Sequence, residues 1–72
     1  MFTKYKVYKH KNNTDVAFHV TGVRDMHPDG IFLTGHWMRI SPMGKLQYLA
    51  NDSITVRDKD HPHWEEFQEV KE

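Results

Sequence analysis

Apolar and polar positions alternate along much of the chain, and a period of two marks a strand with one buried face. Over residues 2–10, Tyr5 and Val7 fall on one side and Lys4, Lys6, Tyr8 and His10 on the other. Lys11-Asn12-Asn13-Thr14-Asp15 is a polar turn, rich in side chains that hydrogen-bond their own backbone. Val16, Phe18 and Val20 then alternate with Ala17, His19 and Thr21, predicting a second strand to Arg24 and a hairpin between the first two. His27-Pro28-Asp29-Gly30 is the strongest turn signal, with proline presetting φ and glycine free to take the left-handed conformation of a short hairpin loop. The third strand, Ile31 to Ile40, is apolar on both sides: Ile31, Leu33 and Trp37 on one face, Phe32, Met38 and Ile40 on the other. Gly35 interrupts it and marks a bend or bulge.

The pattern weakens after that. Residues 41–52 are punctuated by Pro42 and Gly44, with Leu46, Tyr48 and Leu49 expected to cover one end of the core. Ser53 to Arg57 reads as a fourth strand, and 58–61 as a polar break. Pro62 suits a first helical turn, and Trp64, Phe67 and Val70 recur every three residues, which predicts a short C-terminal helical turn laid on the sheet. The expectation is a mainly β domain: a small antiparallel SH3-like barrel, or a strongly bent sheet of four to five strands, with that turn at its end. A long two-sided third strand with a glycine in it favours closure; the alternative is an open antiparallel sheet.

Size narrows the function. The chain has 72 residues, enough for one domain across 1–72. Such a chain buries only about 60 % of the surface its unfolded form exposes, so most large apolar residues are needed for the core. It has no cysteine, hence no disulfide and no thiolate metal site, as suits a reducing compartment. No stretch is long and apolar enough to span a bilayer, and the opening residues lack the apolar run of a signal peptide; a cytoplasmic protein with no membrane partner is expected. Asn12-Asn13-Thr14 and Asn51-Asp52-Ser53 fit the glycosylation pattern but read more simply as turn residues.

Ten basic and ten acidic residues cancel, which argues against indiscriminate nucleic-acid coating. The charges are segregated, however. Residues 1–15 hold four lysines against one aspartate, a net +3; residues 58–72 hold six carboxylates against two lysines, a net −4.

Four chemistries compete. Six histidines raise metal binding, with His61 and His63 flanking Pro62 among Asp58, Asp60, Glu65 and Glu66, yet no established ligand spacing is matched. Lys4, Lys6, Tyr8 and His10 on one strand face, with Lys9 and Lys11 at its edge, could pair with phosphates and stack on a base; the plainer reading is a solvated edge strand guarded by lysines. His19, His36, Met38, Met43 and Tyr48 could form an exposed protein-binding patch, since Met and aromatic residues are enriched at interfaces; the plainer reading places most of them in the core. Catalysis has least support: the chain contains no nucleophile elbow, phosphate-cradling glycine loop or paired-histidine helix motif, and no cofactor is implied.

The segments Lys6 to Ala17 and Phe32 to Ile40 resemble those of small uncharacterised accessory proteins encoded by tailed bacteriophages, which open with a strand, polar turn and Asp-Val hairpin and carry a Trp-centred third strand. The resemblance implies a non-catalytic binder of a host or phage macromolecule in the host cell cytoplasm, and no site residues follow from it. The leading expectation is therefore a non-catalytic protein-interaction module, with a second copy of the chain or a partner protein covering one face of the third strand if the sheet stays open; the alternative is a small nucleic-acid-binding β-barrel using the Lys/Tyr face of the first strand.

Overall fold

A computed structural model describes residues 2–13 and 15–68. Five strands form one antiparallel sheet: β1 (Val7–His10), β2 (Val16–Asp25), β3 (Ile31–Ile40), β4 (Leu46–Val56) and β5 (Trp64–Glu66), in the spatial order β4-β3-β2-β1-β5. The sheet is open, with β4 and β5 as its edges, and the SH3-like barrel is not formed. The molecule measures 40 × 21 × 18 Å, and the long strands β2, β3 and β4 set its length.

Register assigns every side chain to a face, because directly paired residues project to the same side of a sheet. Phe18 pairs with Trp37, Leu33 with Ile54 and Ile31 with Val56. These residues belong to one core face, where Phe2, Tyr8, Phe18, Val20, Leu33 and Val56 are buried and Ile31, Trp37, Ile54 and Trp64 pack against them. Aromatic rings fill the end beneath β1. Phe2 meets Tyr8 edge-on at 4.8 Å and Trp64 at 6.2 Å, and Phe18 meets Trp37 at 5.0 Å. Such contacts add to the burial of large apolar area.

Gly35 is explained by closeness rather than by a bend of its own strand. It pairs with Val20, and a side-chain carbon there would overlap the His19 carbonyl oxygen and lie 3.2 Å from Phe18 Cε2. The irregularity is on the partner strand, between Val20 and Gly22, with a second between Trp37 and Met38 in the β3–β4 ladder.

Three expectations are corrected. The first strand begins at Val7, not near residue 2. Lys4 and Tyr5 form a turn, Tyr5 has φ 71, and the inversion of phase puts Tyr8 in the core while Tyr5 is exposed. β4 runs from Leu46, so Asn51, Asp52 and Ser53 are strand residues rather than a turn. Its turn is Ser41 to Lys45, where the Ser41 N–H donates to the Lys45 carbonyl and Gly44 has φ 81. Finally, the C-terminal helical turn is limited to a 3₁₀ turn at His61–His63; Trp64–Glu66 is a strand, and Val70 lies outside the described residues.

The fifth strand has an electrostatic logic. Lys9 pairs with Glu65 and Tyr8 with Glu66 across the β1–β5 ladder. Lys9 Nζ lies 2.8 Å from Glu65 Oε1, and Lys6 Nζ 3.8 Å from Glu66 Oε2. The basic beginning and the acidic end of the chain therefore meet as neighbouring strands, which opposite charges across a ladder favour.

Candidate functional site

The second face of the sheet carries the candidate site. Val7 pairs with His19, His19 with His36 and His36 with Asn51, so four strands contribute one continuous row. The next row is Ala17, Met38 and Tyr48. β3 supplies Phe32, Thr34, His36, Met38 and Ile40 to this face, all half-buried, and none of them belongs to the core cluster of the described residues. Period-two alternation puts these residues here: the same strand gives Leu33 and Trp37 to the core and the alternate positions to the outside.

His19 Nδ1 and His36 Nε2 are 3.0 Å apart and their ring centres 4.7 Å apart. The Tyr48 ring lies 5.4 Å from that of His36, and the Tyr48 hydroxyl donates to Asn51 Oδ1 at 3.1 Å. Partial burial, and then the neighbouring His19, hold the His36 imidazole below the ordinary histidine range, which favours its neutral form. Beside the pair is an open depression of ≈ 660 Å³ bordered by Thr21, Thr34, Asn51 and Ser53. It is a shallow polar surface, unlike the enclosed pockets that desolvate a substrate.

Of the residues singled out as a protein-binding patch, four come together here: His19, His36, Met38 and Tyr48. Tyr48 is 58 % exposed. Met43 is apart from them, in the β3–β4 turn, and is 70 % exposed. Asn51 was not anticipated, because its Asn-Asp-Ser context reads as a turn.

The basic face expected on the first strand is not assembled. Tyr8 is buried, and its hydroxyl oxygen accepts from the Thr3 N–H at 2.7 Å, so its ring cannot stack on a base. Lys9 and Lys6 face Glu65 and Glu66. Lys4 sits in the turn with its Nζ 5.1 Å from the centre of the Tyr5 ring, and Lys11 is exposed after β1. His10 packs between the C-terminal rings, 5.7 Å from His63 and 5.5 Å from Trp64.

The metal candidates diverge as well. His61 packs edge-on against Phe2 at 5.3 Å, whereas His63 stacks on His10. Among the described residues, no three or more His, Cys, Asp or Glu side chains gather as a metal site.

A second polar cluster joins the β2–β3 turn to the turn after β4. His27 Nδ1 lies 2.6 Å from Asp25 Oδ1, and His27 Nε2 lies 3.1 Å from Asp58 Oδ2. The Asp25 hydrogen bond first, and then Asp58, raise the His27 pKa above its ordinary value. The His27 hydrogen bond in turn lowers that of Asp25. All three are exposed, so this is a surface clamp across sequence-distant turns. The turn signal of His-Pro-Asp-Gly masked it, because Asp58 is 31 residues away.

No helix among the described residues is long and apolar enough to cross a membrane. No protein family, curated protein or solved structure matches this chain.

Proposed function

We propose that this chain is a non-catalytic protein-interaction module that docks a protein partner on the face carrying His19, His36, Met38 and Tyr48. The observation that carries this reading is the two-sided β3 in an open sheet: one face belongs to the chain's own core, and the other carries half-buried Phe32, Met38 and Ile40, which are not members of the core cluster among the described residues. Met and aromatic side chains around adaptable polar groups are the composition of an interface centre. The edge strand β4 adjoins this face with exposed Tyr48 and Leu49, and offers backbone groups for strand addition. The bacteriophage resemblance suggests that the partner is a host or phage protein that the module modulates, and a second copy of the chain is one form such a partner can take.

The test uses immobilised chain and bacterial lysate. Met38→Glu together with Tyr48→Glu should remove the captured partner, since burying a charge at an interface anchor costs about 2 kcal/mol or more. The control Lys59→Glu, in an exposed turn, should retain it. The same preparations are titrated against labelled DNA and RNA at about 50 and 200 mM salt, where phosphate binding weakens steeply. Saturable, salt-sensitive nucleic-acid binding lost on Lys4→Glu and Lys11→Glu would overturn the protein-interaction reading.

A further inference from the structure

We propose that His19 and His36 form a two-histidine site for a divalent transition-metal ion, held between β2 and β3 on the open face. The assignment rests on how the rings converge, and it stands apart from any protein partner on that face.

The two nitrogens are 3.0 Å apart and the ring centres 4.7 Å. A straight N–H···N hydrogen bond of that length would put the ring centres about 5.3 Å apart, because each centre lies about 1.15 Å behind its nitrogen. The observed rings are closer, so the hydrogen bond between the two nitrogens is bent, as it is when both rings turn toward one side. An ion about 2.0–2.1 Å from both nitrogens, the usual metal–imidazole distance, would sit between them on two adjacent coordination positions. With about 90–95° at the ion, the nitrogens lie about 3.0 Å apart and the ring centres about 4.5–4.7 Å. Both distances fit.

That angle, set by the 3.0 Å spacing and the usual metal–imidazole length, suits some ions better than others. Adjacent positions near a right angle belong to octahedral and tetragonal ions, whereas tetrahedral zinc spreads its ligands wider. Imidazole is a good ligand for copper and nickel, and divalent copper stands highest in the general affinity order. The nitrogens involved are Nδ1 of His19 and Nε2 of His36, so the ring protons would sit on His19 Nε2 and His36 Nδ1. The remaining positions would be taken by water on the open side, beside Asn51. His10 and His63 make an internal comparison: their rings stack at 5.7 Å with only 27° between planes, an arrangement that does not direct two lone pairs at one point.

The test is a titration of untagged full-length protein with divalent copper, nickel and zinc, with magnesium as the hard-cation control, followed in amide and histidine nitrogen spectra. The expected result is saturable binding of one ion per chain, copper tightest and magnesium without effect, with paramagnetic broadening centred on His19, His36 and their row neighbours Val7 and Asn51. His19→Asn and His36→Asn should each weaken copper binding at least about tenfold, whereas His10→Asn with His63→Asn should not. Should a variant unfold, the broadening map on the unaltered protein decides. Broadening centred on His10, His61 and His63, broadening spread without saturation, or no response to any of the three ions would overturn the assignment.

Discussion

Single side chains decide more here than in a larger domain, because the core has few members. Leu33 is fully buried against Phe18 and Val20, whereas Leu49 is 49 % exposed on the edge strand. Leu33→Ala should cost about 2–5 kcal/mol and Leu49→Ala within about 0.5 kcal/mol. Urea unfolding measures both; equal losses would contradict the assigned faces. Gly35 has no room for a methyl group against the His19 carbonyl. Gly35→Ala should destabilise by about 1–3 kcal/mol, since the backbone of β2 must move, and an unchanged urea midpoint would show that the strands do not approach so closely. His27 gives a pH signature. Its folded pKa is raised, so its contribution is fully present below the ordinary histidine value near 6.5 and is lost as pH rises through the raised folded value. The melting-temperature difference between wild type and His27→Gln should therefore shrink from pH 6 to pH 8. A constant difference would mean that Asp25 and Asp58 do not stabilise the protonated His27.

At the level of elements, the β1–β5 pairing is where opposite charges organise a short edge. Lys9→Glu should loosen β5, and adding Glu65→Lys should restore it, with a smaller recovery at high salt because both side chains reach solvent. Amide exchange at Trp64 to Glu66 reads the outcome; protection unmoved by Lys9→Glu would separate the pairing from its charges. These elements also show how far the sequence was legible. β2 follows from its alternation, β3 from its two-sided set of strand-forming apolar residues, and their turn from His-Pro-Asp-Gly. β4 was half hidden: its Asn-Asp-Ser stretch has weak strand preference, and the shift of register between Trp37 and Met38 breaks its period. β5 was hidden by ambiguity, since Trp64 and Phe67 fit a helical spacing of three. The opposite charges of the two chain ends were visible, but their meeting as adjacent strands required the fold. Tyr8 went astray for a local reason: the Lys4-Tyr5 turn inverts the alternation just before β1.

For the molecule as a whole, the decisive property is a single open five-stranded sheet whose core cluster, among the described residues, lies on one face. Closure into a barrel would have used the second face of β3 for a core. Left open, it sets His19, His36, Met38 and Tyr48 side by side, residues that are 29 positions apart at their extremes in the chain. Their convergence depends on register, which alternation alone does not specify. The most direct measurement places a photo-reactive group on that face. Tyr48→p-benzoylphenylalanine is irradiated in bacterial lysate beside the same replacement at Asp29 and Lys59, both in exposed turns. A discrete protein adduct at position 48, absent at 29 and 59, is the expected result. Equal labelling at all three positions, or none at 48, would contradict a docking face on this side of the sheet.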